Sequence, residues 1–352
     1  MKTKVQTYRF SPSQGAAEEH ILVSIADASL RFQDQLEAVL KVAGEAEGVQ
    51  FRRFFLSDPA NQAPLLQKAL TALPQVPTSL IGQAPLDGSK IALWLYCAAP
   101  GSAFRHYWDS ALTAPEGDSH QQMEDIFGQL EERLARRGMD IPASTVRTWI
   151  FVRDVDTNYA GVVTGRREFF GRIGLTPSTH FIASTGIEGS CPHWRNKVVM
   201  DAYSIGGLQE GQMAFLYALD HLSPTYDYGV TFERGTTVTY GDRRHIFISG
   251  TASIDAKGNV MYEGDAAAQT GRMLENIDAL LSEAGAGFGD LAMAIVYLRD
   301  RADYPLVREA ISKACPTLHA LYVHAPVCRP SWLVEMECIA ITPAGDARYP
   351  KF

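Results

Sequence analysis

"RMLENIDALLSEAGAGFGDLAMAIVYLRD", Arg272–Asp300, is the stretch on which the fold turns. Leu274, Ile277, Leu280 and Leu281 recur at the spacing of one helix face. A small, glycine-bearing break follows, and then "AMAIVYL", apolar and aromatic as strands prefer, running into Asp300. A second amphipathic segment ends at Cys315. The same order of helix, break, strand closed by Asp, and helix occurs at Arg31–Leu70 and at Gln122–Phe170. The closing aspartates are Asp58, Asp154 and Asp300, separated by 96 (154 − 58) and 146 (300 − 154) residues. Each copy then finishes on a further strand, "KIALWLYCA", "KVVMDAYSI" or "LVEMECIAI". Self-similarity on this scale decides the architecture before any single motif does. It predicts an α+β chain of three related modules, at residues 1–115, 116–222 and 223–352. Pro, Gly and Ser-rich segments such as "LTAPEGDSHQ" and "SIGGLQEGQ" separate them.

Composition narrows the function classes. The 352 residues are 46% hydrophobic and 20% charged, ordinary for a globular protein. A net charge of −8 argues against a nucleic-acid partner, which needs clustered Lys and Arg, but leaves room for a local basic pocket. No run approaches a membrane span, and no apolar core follows the basic N-terminus. The five cysteines (Cys97, Cys191, Cys315, Cys328, Cys338) include no CxxC pair, and the nine histidines do not cluster. A reducing cytoplasm, no disulfide framework and no dedicated metal site are expected. Phosphate-loop, dinucleotide and nucleophile-elbow spacings are also missing from "GTTVTYG" and "STGIEG".

The last strand carries the chemistry. In "VCRPSWLVEMECIAI", Val327–Ile341, Glu335 and Glu337 share a strand face with Leu333, Ile339 and Ile341. An ionised carboxylate is costly in such company, so it is neutral, paired, or turned toward a cleft. A carboxyl in a dry setting has a raised pKa, as a general acid needs near neutral pH. Only the third copy keeps an acid at the first position, because Val199 stands there in the second copy and "KIALWLYCA" has no acid. Glu337 reads as a structural group.

"FISGTASID", the opening stretch and "LVEMECIAI" together resemble the YjgF/Rid fold, whose small units trimerise with active sites between subunits. Three such chorismate-mutase-like modules in one chain imply an intramolecular pseudo-trimer acting as a monomer. A wider resemblance rests on "YAGVVTGRREFF", "FIASTGIEGS", "FERGTTVTYGDRRHIFISGTASI" and "VCRPSWLVEME" in that order, which is similar to the chorismatase family. The resemblance implies removal of the enolpyruvyl group of chorismate as pyruvate, with no cofactor. It makes Glu335 the acid that protonates the enolpyruvyl methylene. It makes Cys328 the mark of the branch that forms 3-hydroxybenzoate, alone or with the 4-isomer. Chorismate is a dianion, so two cations are needed, and Arg166 and Arg234 are the choices inside the matching motifs. Arg167 competes with Arg166, and strand alternation would turn Arg329 away. Gly241 is the candidate small residue near the ring, and Thr185 and Tyr203 are candidate hydrogen-bond donors. The alternatives are a hydrolytic chorismatase giving a dihydroxycyclohexadiene carboxylate, a Rid-type enamine or imine deaminase, and a binding module without catalysis. The absence of Arg from "LHALYVHAPVC" weakens the deaminase.

Overall fold

A computed structural model describes residues 2–352. The first module contains β1 (Thr3–Phe10), β2 (Glu18–Ile25), α1 (Phe32–Glu45), β3 (Val49–Leu56), α2 (Pro59–Leu70), β4 (Thr78–Gly82), β5 (Ala84–Pro85) and β6 (Ile91–Ala98). The second contains β7 (Arg105–Thr113), α3 (Ser119–Arg136), α4 (Ile141–Ser144), β8 (Thr145–Val152), α5 (Val155–Arg172), β9 (Ala183–Glu188) and β10 (Val198–Gly206). The third contains β11 (Met213–Leu216), β12 (Gly235–Thr239), β13 (Arg244–Ala252), α6 (Ala266–Glu283), β14 (Leu291–Leu298), α7 (Tyr304–Ala314), β15 (Ala320–His324) and β16 (Val334–Thr342). Among the described residues no helix is long and apolar enough to cross a membrane.

The three sheets repeat one topology. Their orders are β1-β2-β6-β3-β4, β7-β10-β8-β9 and β11-β12-β13-β16-β14-β15-β5. In each, the strand ending near the marker Asp lies between an antiparallel neighbour and a parallel one, and the parallel pair is joined through a crossover helix. These are the three YjgF-like modules that the repeat implies. β7 pairs with β10 in the second sheet, and β11 pairs with β12 in the third.

The marker aspartates are not equivalent in their local work. Asp58 caps α2 by accepting from Asn61 N at 3.3 Å, and Asp300 accepts from Ala302 N at 2.8 Å. Asp154 instead adopts a left-handed backbone, φ 49°, and makes no side-chain cap. Glu188 takes over, accepting from the backbone N–H groups of Asp154 and Val155 at 3.2 and 2.7 Å.

Helices cover the outer sheet faces, and the inner faces meet on a pseudo-threefold axis. Phe51, Trp94, Trp108, Trp149, Tyr203 and Phe247 are buried there in one continuous cluster drawn from all three modules. Strand register relates positions around the axis. Arg53 lies beside Trp94, Trp149 beside Asp201, and Ile295 beside Glu337. Two of these strands send a side chain into the next module. Arg53 donates twice to Asp201 Oδ2, at 2.9 and 2.7 Å, and Trp149 Nε1 donates to Glu337 Oε1 at 2.9 Å. The third pair in the cycle, Ile295 and Trp94, is apolar. Glu337 and Asp201 are thus equivalent inter-module struts, which fits the structural role read for Glu337.

Candidate active site

Two residues before Glu337 on the same face, register sets Glu335 level with Val199 and Ala92. It is the single acid of that layer. Opposite it, β13 bulges between Ile248 and Thr251. Gly250 occupies the bulge, and a Cβ there would stand 2.3 Å from Glu335 Oε1. Bare backbone at 250 is therefore what makes room for the carboxyl.

Glu335 opens into a pocket between the second and third modules. The space between its lining side chains is about 520 Å³, solvent at the mouth included. From the second module α5 contributes Tyr159 and Arg166, and β9 contributes Ser184 and Gly186. From the third come Arg234, Gly250, Cys328 and Glu335, with Tyr228, Phe232 and Trp332 as an aromatic wall.

Burial outweighs the surrounding cations in setting the protonation of Glu335. Burial, and next the nearby Glu337, push its carboxyl up to about 8 against the opposing pull of Arg147 and Arg234. No hydrogen bond joins its carboxyl to another described residue. Glu337 differs in having partners. Arg147 Nη2 and Thr185 Oγ1 donate to its Oε2 at 2.9 and 2.5 Å. Cys328 is held as a thiol, pushed up to about 12 by burial and by Glu335, although Tyr159 and two guanidinium groups pull it down. Burial likewise raises the Tyr159 phenol.

Arg166 is 2% exposed and donates to Thr231 Oγ1 at 3.2 Å. Its Nη2 is buried without a hydrogen-bond partner, and Tyr159 is in polar contact with its guanidinium. Burial lowers its pKa. A buried guanidinium with a free donor at a pocket wall is built to receive an anion. Arg234 spends two donors on Ser223 O, at 3.3 and 2.8 Å, and lies over the rings of Tyr228 and Phe232. Arg167 is exposed.

The structure thus gathers Glu335, Cys328, Arg166 and Arg234 around one pocket, and moves the other candidates elsewhere. Thr185 stands behind the wall, where its hydroxyl accepts from Gly250 N at 3.0 Å and braces Glu337 and Arg147. Tyr203 lies farther along β10 in the axial core, hydrogen-bonded to His106 Nδ1 at 2.7 Å and stacked on Trp108. Gly241 sits in the β12–β13 turn, where a Cβ would meet Tyr349 O at 2.5 Å. The small residue beside the acid is Gly250. Arg329, expected to point away, lines the pocket over Tyr228 and Trp332. Residues 328–331 form a bend and turn, so strand alternation does not govern it. Tyr159 was detectable, since it precedes Arg166 by seven residues and so shares its helix face.

The family model described as endoribonuclease L-PSP matches residues 237–342. The 3-aminoacrylate deaminase RutC of Acinetobacter baylyi is 35% identical over 97 residues, 27% of this chain and 77% of that protein. A RutC family protein of Pyrococcus abyssi is 37% identical over 97 residues, 27% of this chain and 76% of its own length. A chorismatase crystal structure at 1.08 Å superposes with a TM-score of 0.69 over 93% of this chain and 99% of that one, at 16% identity. The chain therefore has the fold of a chorismatase along nearly its whole length and, through its third module, belongs to the RutC family.

Proposed function

We propose that this protein is a chorismatase that converts chorismate to 3-hydroxybenzoate and pyruvate without a cofactor, acting as a monomer. The observation that carries the reading is Glu335, held neutral in a pocket flanked by the buried Arg166 and Arg234. Two guanidinium groups match the two carboxylates of the substrate. The terminal methylene of its vinyl ether accepts a proton slowly in water, and a positioned neutral carboxylic acid supplies one. Protonation from Glu335 leaves an oxocarbenium ion and a glutamate carboxylate, whose charge faces the cation that has formed. The ring hydroxyl of the substrate adds to that carbon. The hydroxyl proton passes to the Glu335 carboxylate as a cyclic ketal closes. One ring C–O bond and the remaining ketal C–O bond then break, pyruvate leaves as the ketone, and the oxygen left on the ring takes that proton back. Loss of a ring proton to Glu335 aromatises the ring. The two products sum to the substrate, so no water and no redox partner is consumed. Cys328, as a neutral thiol beside the acid, occupies space that a hydrolytic water would need.

A second reading is Rid-type deamination, favoured by the 35% identity of the third module to the 3-aminoacrylate deaminase. The two readings share a proton delivered to the electron-rich carbon of an enol ether or an enamine. Incubation with chorismate, without added metal or cofactor, followed by chromatography separates them from each other and from the hydrolytic reaction. Pyruvate with an equal amount of 3-hydroxybenzoate is expected. A dihydroxycyclohexadiene carboxylate would assign the hydrolytic reaction, and 4-hydroxybenzoate beside the 3-isomer a dual-product enzyme. No pyruvate from chorismate, with ammonia from 3-aminoacrylate, would replace the proposal with the deaminase.

A further inference from the structure

The pocket at Glu335 has a counterpart between the third and first modules, and strand register identifies its residues. Thr185 lies beside Trp149 as Leu321 lies beside Ile295, so Ser184 and Gly186 correspond to Ala320 and Tyr322. Val327 bridges Ile187 at the end of β9, and Pro85 pairs with Val323 near the end of β15, so Leu86 stands where Cys328 stands. Gly235 beside Ile248 matches Thr7 beside Ile21, which puts Gln6 in the place of Arg234. Ala92 stands where Glu335 stands, so this cleft lacks that acid.

The cleft has not closed. The space among its lining residues, open solvent included, is about 1160 Å³, against about 520 Å³ on the same footing at Glu335. It keeps the chemistry of a ligand site in reduced form. On α7, Tyr304 is in polar contact with Arg308, as Tyr159 is with Arg166 on α5. Tyr304 and Tyr322 meet edge to face with ring centroids 5.5 Å apart. Buried Ser24 and half-buried Leu86 lie deeper in the cleft. The charged lining residues are Lys4, Arg308 and Asp87, a formal sum of +1 (2 − 1). At the Glu335 pocket, Arg166, Arg234 and Arg329 with a neutral acid give +3. One site suits a dianion and the other a single carboxylate on an aromatic ring.

We propose that the cleft between the third and first modules is a second, non-catalytic binding site for a small aromatic monocarboxylate, held by Arg308 and Lys4 with its ring against Tyr304 and Tyr322. The argument uses the cleft's own chemistry. Under the proposed function, the aromatic acid product belongs to the class of ligand it takes.

Isothermal titration of 3-hydroxybenzoate into the full chain tests this, with Arg308→Ala and Arg166→Ala as the two arms. Two sites are expected in the unaltered protein. Arg308→Ala should weaken one of them at least tenfold while leaving unchanged the rate of pyruvate release from chorismate measured without added acid. Arg166→Ala should weaken the other. Lys4→Ala gives an independent, smaller weakening of the first site. A single site lost in Arg166→Ala and intact in Arg308→Ala would overturn the proposal, as would no binding that responds to Arg308. Neither result depends on turnover. A protein that fails to release pyruvate from chorismate yet binds the acid through Arg308 leaves the second site standing and removes only the chorismatase reading.

Discussion

Replacing Glu335 by Gln separates the two consequences of burying that acid. In the folded chain its carboxyl stands at about 8 against an ordinary 4.5, with burial the larger cause and Glu337 the next. Between those values the folded chain keeps a proton that the unfolded chain has released. More protons bound in the folded state means that stability falls as pH rises through the window, and is undisturbed below it. The difference of 3.5 (8 − 4.5), at about 1.36 kcal/mol per unit, corresponds to roughly 5 kcal/mol lost above pH 8 and roughly 3 kcal/mol at pH 7. Glutamine has nearly the same shape and no such titration. Urea unfolding of both proteins at about pH 5, 7 and 9 should give similar stabilities at the lowest pH and a variant several kcal/mol more stable at the highest. Pyruvate release should fall by roughly 10²–10⁴ in the variant, the usual worth of a positioned acid. Wild-type turnover should fall as pH passes about 8. Parallel stability curves for the two proteins would refute the neutral buried acid, and a fully active variant would refute its use as proton donor.

Other perturbations read neighbouring parts of the same argument. Arg166→Met should lower kcat/KM for chorismate by roughly 2–4 kcal/mol, or about 30- to 1000-fold, because the free Nη2 donor at the wall is lost; a loss below threefold in steady-state kinetics would remove Arg166 from the anion site. Gly250→Ala puts a Cβ 2.3 Å from Glu335 Oε1, so turnover should fall at least about tenfold while melting, followed by circular dichroism, changes little; unaltered turnover would show that the carboxyl does not act from this position. Cys328→Ala should change the product ratio seen by chromatography more than the rate, and identical products would leave the thiol as a packing group. At the far end of the axis, burial pushes His20 and His106 down to about 4. Both stay neutral in the folded chain while the unfolded chain protonates, so stability should fall as pH drops from 6.5 through 4, by up to roughly 3 kcal/mol for each histidine. Unfolding measured in the Glu335→Gln background removes the opposite trend of that acid, and a flat profile there would contradict the assignment.

How much of this was legible in the sequence depended on whether a local period governed the residue. The helix stripes, the strands running into aspartates and the acid unique to the third copy obey periods of 3.6 and 2, and their order fixed the modules and the face that Glu335 occupies. Arg166 and Cys328 reach the pocket from other elements, and motif order rather than period pointed to them. Expectations failed where geometry departs from a period. The β13 bulge makes Gly250, not Gly241, the glycine beside the acid. The turn at residues 328–331 swings Arg329 into the pocket against strand alternation. Tyr203 shares a strand with Val199, the counterpart of Glu335, but lies four residues along it, roughly 13 Å away at an ordinary strand rise.

Burial alone does not distinguish the acid that can react from the acid that cannot. Glu335 is 5% exposed and Glu337 3%, on one strand and one face. Glu337 lies where Asp201 lies in the second module, and both are tied to donors from the preceding module, Trp149 and Arg53. Both oxygens of each carboxyl are engaged by these and neighbouring donors, and Glu337 does not line the pocket. One layer away the preceding module offers Glu335 no hydrogen-bond partner, and burial there raises the pKa of its carboxyl. Val199 and Ala92 replace the acid in the other two clefts and avoid that cost where no proton is needed. Donating a new partner to Glu335 should therefore silence it as effectively as removing the carboxyl. Ala252, which faces Glu335 across the sheet, is the place to try one. Ala252→Arg should ionise the acid and bring its pKa back toward 4.5, with loss of turnover at neutral pH and partial recovery under acid conditions, whereas loss of turnover at every pH would point to a blocked pocket instead.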